Sequence, residues 1–237
     1  MKQRRKRRTS KDIEEAIIKS ATELIAEGGF NNLTITGIIR RAEIEPLQFY
    51  KRYKGLDNFI DEYVKKFDYW FSNITKTDNK NIPISTEYNQ ILCSLLESLW
   101  DNKIMQELLR WEISTKNSLS CRTAQLREFY TLPLCKYFEK AFSDTDIDIV
   151  AISALIVGGI YYLILHNELS DFSSINLQRE QDRERVIKAI KKISEILFNE
   201  TPHHSIYKVA ITMKKDGVPL EKIEEYTDIP LSIIKEL

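Results

Sequence analysis

Residues Ile149 to Leu165 read IVAISALIVGGIYYLIL, 17 residues without one charged side chain. A helix that is apolar on every side must be covered on every side, by lipid or by protein. This run sits at the short limit of a membrane span, and its flanks oppose one. Asp144, Asp146 and Asp148 precede it, Asn167 and Glu168 follow it, and no basic anchor lies at either end. The run therefore reads as a central helix of a soluble oligomer. Ala154, Gly158 and Tyr162 fall four residues apart along it, a small-small-aromatic seam on which two backbones can approach closely. Packing of the same seam within one subunit is the alternative.

The rest of the chain reads as helix too. Glycine and proline number only 7 and 6 in 237 residues, and strand-like alternation is almost absent. Ile13, Ala16, Ile17, Ala21, Leu24 and Ile25 recur at three- and four-residue steps, so Ser10 to Glu27 has one apolar face. Thr9 or Ser10 can cap its start, and Gly28-Gly29 can end it. A short helix follows over 35–42 with Thr34 as its cap, then one from Pro46 to about Lys54, then one from Asp57 to about Ile74. The polar stretch 75–85 reads as a loop. Further helices are expected at 87–100, 103–116, 121–142, 146–168 and 180–198, then a break at ETPHH and a small unit over 205–237.

Charge is divided unevenly. Residues 1–66 hold 15 basic and 10 acidic side chains, and 67–237 hold 20 and 25. A basic head on an acidic body suits a chain that meets a polyanion at one end. Cys93, Cys121 and Cys135 show no paired spacing, which suggests buried thiols in a reducing compartment. No apolar run follows the basic start, so a secretion signal is not expected and the cytoplasm is. The histidines His166, His203 and His204 lack metal-ligand spacing. No phosphate loop, dinucleotide fingerprint or nucleophile elbow is present, so neither an enzyme nor a metal or cofactor protein is expected.

The segment IEEAIIKSATELIAEGGFNNLTITGIIRRAEIEPLQFYKRYKGLDNFI (13–60) resembles the N-terminal domain of the tetracycline-repressor (TetR) family. The likeness rests on the first amphipathic helix, the GF…LT step, and a helix leading into FYKRY. It implies an all-α protein: a three-helix helix-turn-helix head at 1–56, a helical ligand-binding and dimerisation body at 57–200, and here a small acidic appendage at 201–237. It also implies a homodimer that binds a double-stranded DNA operator and is released by a small-molecule effector, most simply a repressor. Two heads must reach successive major grooves ~34–36 Å apart, so a modest pivot spoils both contacts.

The resemblance places Thr34, Tyr50 and Lys51 at family positions that commonly touch the DNA backbone; Arg40, Arg41, Arg52 and Lys54 add charge nearby, and Thr36 and Pro46 join the candidate DNA contacts. Arg4, Arg5, Arg7 and Arg8 belong to an arm whose residues 2–11 hold seven bases and no acid, suited to phosphates or a minor groove. Glu45, Leu47 and Gln48 are the candidate base readers: glutamate accepts from cytosine, leucine meets a thymine methyl, glutamine pairs with adenine. The sequence departs from the family at Glu43, where the turn usually has glycine. It departs again at Glu45, Pro46 and Leu47, usually serine followed by lysine and glycine, and at Leu56, usually lysine. These changes add acid and remove base near the phosphates, which leaves a second reading open: a ligand- or protein-binding dimer that keeps the fold without specific DNA recognition.

Trp70, Trp100, Trp111, Tyr130, Phe138 and Tyr161 are the candidate pocket lining for an apolar or aromatic effector. Val186, Ile190, Ile193 and Leu197 join Ala154, Gly158 and Tyr162 as the candidate dimer surface, because the family commonly pairs its last two body helices. Finally, 217–237 laid over 32–52 sets Ile223 on Ile38, Thr227 on Ala42 and Ile229 on Ile44. This second, shorter helix-turn-helix has two lysines against five acids over 219–237, which favours a packing or protein-contact role.

Overall fold

Helix follows from the three- and four-residue apolar steps. A computed structural model describes the backbone of residues 8–74, 82–199 and 202–237, and the side chains of 8–65, 82–199 and 206–237. Among these residues there are twelve α-helices and no strand: α1 Ser10–Gly28, α2 Ile35–Ala42, α3 Pro46–Tyr50, α4 Leu56–Ile74, α5 Ile84–Asp101, α6 Lys103–Ser114, α7 Ser118–Ala141, α8 Ile149–His166, α9 Glu180–Asn199, α10 Pro202–Lys215, α11 Leu220–Thr227 and α12 Leu231–Glu236. Thr9 and Asp12 cap α1 reciprocally. Gly29 ends it at φ 71°, a conformation that glycine takes without a Cβ clash. Helices α5 and α7 begin three residues before the sequence expectation and α8 three after it, and two further boundaries differ. The third helix stops at Tyr50 and not at Lys54, and α10 begins at Pro202, where a break was expected. Proline opens a helix as readily as it interrupts one.

The chain divides into two compact units, residues 1–70 with 99–130, and 71–98 with 131–237. In the first, the buried face of α1 (Ile13, Ile17, Ala21, Ile25) packs with Leu33, Ile38, Ala42 and Ile44. A line of rings then runs through the unit. Phe49 lies 5.7 Å from Phe59, Phe59 5.7 Å from Tyr63, Tyr63 6.3 Å from Phe30, and Phe30 stacks on Trp111 of α6 at 5.4 Å. Tyr63 also shares a 2.7 Å hydrogen bond with Thr22 of α1. Helix α6 is held to α7 by a buried fork: Arg127 donates to both Glu112 oxygens at 2.7 and 2.6 Å, and Thr123 donates to one of them at 2.7 Å.

In the second unit Phe198 is the hub, with Phe142 at 4.9 Å and Tyr88 at 5.4 Å. Tyr88 bonds Ser153 of α8 at 2.9 Å. Phe172 and Ile175 exchange backbone hydrogen bonds of 2.9 Å across Ser173 and Ser174, whose φ of 50° and 64° close a tight turn between α8 and α9. Asp182 holds that connection. It accepts from the Asn176 N–H at 3.1 Å, from Arg179 at 2.6 Å and from Arg185 at 2.7 Å. These bonds, the Asn176 N–H foremost, pull its carboxyl down to about 2.

Helix α8 is the one described helix long and apolar enough to cross a membrane, and one copy of the chain covers only part of it. Ile149, Ile160 and Ile164 are buried; Ala151, Ala154, Leu155, Gly158, Gly159 and Tyr162 are exposed. The last three helices share a small core of Ala210, Ile223, Ile229 and Ile234. The turn from α11 to α12 places Asp228 at φ 53°, as the turn from α2 to α3 places Glu43 at φ 50°. The expectation of buried thiols fails for Cys121, which is exposed, and Cys93 and Cys135 are half-buried.

Two outcomes follow for stability. Arg127→Ala leaves Glu112 buried and unpaired, and should cost about 3–5 kcal/mol in urea unfolding. Asp182 titrates lower in the folded chain than its ordinary value of 3.8, so its contribution is full above that pH and is lost as pH falls toward about 2. In Asp182→Asn the unfolding midpoint should therefore depend less on pH across that window.

Candidate nucleic-acid interface

The head is built around two tight junctions. At the first, the Thr34 hydroxyl accepts the Gly37 N–H at 3.1 Å and starts α2. A Cβ on Gly37 would lie 2.9 Å from that hydroxyl, so glycine is what lets the cap close. At the second, Glu43 takes the left-handed conformation that usually calls for glycine. Arg8 compensates from outside. Its guanidinium donates to the carbonyl of Ala42 at 2.8 Å and that of Glu43 at 3.3 Å, and lies 4.0 Å from the Glu43 carboxylate.

Helix α3 comes next. The Glu45 N–H donates to the Gln48 side-chain oxygen at 2.9 Å, capping a helix of five residues. Phe49 is fully buried and Tyr53 nearly so, which fixes the rotation of the helix. Leu47 and Tyr50, three residues apart on α3, are exposed on one side of it, and Lys51 and Lys54 are exposed in the turn that follows. Leu47 is 63% exposed and Tyr50 52%. Burial raises the Tyr53 hydroxyl above its ordinary range, with Glu14 adding to the effect.

The expected contact residues separate into two groups. Thr36 and Arg40 on α2, and Glu45 and Pro46 at the start of α3, are exposed. Arg52 is tied inward, donating to the Gln48 carbonyl at 2.7 Å and to the Ser10 carbonyl and hydroxyl at 3.0 and 2.8 Å. Arg41 forks onto Glu27 at 2.8 Å through both nitrogens and holds that carboxyl below its usual range. Arg8 is spent on the turn, and Arg4, Arg5 and Arg7 lie outside the described residues. The role of Ser10 was not legible in sequence, since its partner is 42 residues away.

The six candidate pocket residues are not brought together within either unit. Trp111 stacks on Phe30, while Trp100 is half-buried and Tyr130 is exposed, all in the first unit. Phe138 is buried 5.0 Å from Tyr88, and Tyr161 is half-buried, in the second. The Trp70 side chain lies outside the described residues. Of the candidate dimer residues, Ala154, Gly158, Tyr162 and Ile193 are exposed, Val186 and Leu197 are half-buried, and Ile190 is buried.

No protein-family model matches the chain, and no curated protein matches it in sequence. Solved structures do. The fatty acid degradation regulator FadR of Bacillus halodurans aligns with 80% of this chain and 96% of its own, with a TM-score of 0.61 and 13% identity. FadR of Bacillus subtilis, solved in complex with stearoyl-CoA, gives 76%, 97%, 0.60 and 13%. A TetR-family transcriptional regulator of Haemophilus influenzae gives 78%, 98%, 0.52 and 16%. The fold is the TetR fold. In TetR terms, α1 to α3 are the helix-turn-helix head, and the segment 13–60 that carried the resemblance forms it.

Restoring glycine at the turn of this TetR head tests the compensation by Arg8. Glu43→Gly relieves the Cβ clash and should raise stability by up to about 1 kcal/mol in urea unfolding, net of glycine's greater chain entropy. It also removes an acid, so affinity for any duplex DNA at low salt should rise.

Proposed function

We propose that the protein is a homodimeric, ligand-responsive DNA-binding transcription regulator, a cytoplasmic repressor released from its operator by a small molecule. The observation that carries this reading is the outward side of α3. Leu47 and Tyr50 project from a helix whose rotation is fixed by buried Phe49, and Lys51 and Lys54 are exposed just after its end. That arrangement offers an apolar tip for base edges and flanking cations for phosphates. Function then divides the chain at 1–56, 57–200 and 201–237, as head, body and appendage.

A second copy is the natural cover for α8. A Cβ added at Gly158 or Gly159 meets nothing within 4 Å, so the seam has room for a facing backbone. Protein is preferred to lipid because Asp148 caps the helix start, accepting the Ala151 N–H at 2.9 Å, where a membrane anchor would be basic. The effector is sought among apolar molecules. Since the Bacillus subtilis FadR was solved with stearoyl-CoA, a long-chain acyl thioester is the first to try.

The decisive experiment is binding of the full chain to DNA flanking its own gene, against scrambled duplex, across a salt series. Retention of the specific duplex at moderate salt is expected. Equal and salt-fragile binding to both duplexes would return the other reading, a ligand- or protein-binding dimer with the TetR fold. Gly158→Leu fills only open space within one copy, so helix content should be unchanged while sedimentation shifts from dimer to monomer.

A further inference from the structure

We infer that the head recognises its DNA chiefly through the 5-methyl group of thymine, with Leu47 as the residue that reads it. This rests on the DNA-binding function proposed above and names the chemistry by which one sequence is told from another.

Four hydrogen-bonding side chains near α3, those of Gln48, Arg52, Arg41 and Arg8, are spent inside the protein, while Arg40 and Glu45 stay exposed. An amide reads adenine by pairing through its oxygen and nitrogen together. The Gln48 oxygen already accepts the Glu45 N–H at 2.9 Å. Releasing it would uncap a helix of five residues whose first residue is proline. A guanidinium reads guanine by a fork. Arg52 is held by the Gln48 carbonyl and by Ser10, Arg41 is forked onto Glu27, and Arg8 is bound to the Ala42 carbonyl. Lys51 and Lys54 lie on the outward side, but a flexible ammonium suits phosphate as a point charge.

What projects without a polar partner is Leu47, in the first turn of α3 and 63% exposed. The major-groove edges of the four bases offer hydrogen-bond donors, acceptors and one apolar group, the thymine methyl. An exposed leucine gains by burial only against that group. Tyr50, one turn further along and 52% exposed, presents a phenol with a polar tip that a phosphate can satisfy. Gln48 then acts by positioning: it holds the start of α3, and through it Leu47, in place.

The test starts from duplexes enriched by the full chain out of a randomised library. The winners are resynthesised with deoxyuridine replacing each thymine in turn, which removes the methyl and leaves every base-pair hydrogen bond. One thymine per half-site should be sensitive, with affinity falling about fourfold for each methyl removed. In Leu47→Ala the same replacement should have no effect, because the methyl has lost its partner. Gln48→Ala should weaken binding to the enriched duplex and shrink the deoxyuridine effect without moving it to another thymine, because the cap that holds Leu47 is loosened. Indifference to deoxyuridine at every position, or a thymine preference that survives Leu47→Ala, overturns the inference while DNA reading stands. Failure to enrich any sequence overturns both.

Discussion

The line of rings from Phe49 to Trp111 is the contact on which the head depends. Phe49 is the inward residue of α3, which has only five residues to hold it. A helix so short has little stability of its own. Its orientation is borrowed from Phe59, Tyr63 and Phe30, which hand the contact on to α6. Close-packed aromatic interiors move by discrete repacking and not by continuous bending. The head and α6 belong to one compact unit, although Phe49 and Trp111 are 62 residues apart in sequence.

The second constraint is the turn before α3. A left-handed residue with a side chain is strained, and here the strain falls between two helices that must keep a fixed angle. Arg8 answers it by donating to the two carbonyls at the end of α2, which also stabilises that end against its own dipole. A base that sequence alone assigns to DNA is thereby used to shape the protein. Arg52 and Arg41 repeat the pattern. Counting positive charges on this head overstates its attraction for phosphate, since three of its arginines are already neutralised or bound.

How much of this was legible in the sequence depended on how local each cause was. Helix α2 was placed at both ends because Thr34 is a cap by type and position and Ala42 closes the apolar face. The end of α3 was not, because no breaker stands between Tyr50 and Gly55; what stops the helix is the packing of Phe49 and Tyr53 and the tie from Arg52 to Ser10. Trp111 illustrates the same limit. An aromatic residue on an apolar face announces burial, and only the fold says that its partner is Phe30 and not a ligand. Exposed Cys121 is the converse case, since a helix of low amphipathicity such as α7 gives no strong signal of which side faces inward.

Under the proposed pairing of two copies, the half-covered state of α8 would tie the protein's activity to its own abundance. Leu155 is 76% exposed in a single copy, on a helix that carries no charge to keep it in water. When the cover is a second copy, folding and assembly become one equilibrium, and the folded fraction rises with concentration. Scarce chains then stay apart and inactive, and abundant chains complete one another. If each working unit requires two copies, lowered synthesis would reduce the number of working units more steeply than the number of chains.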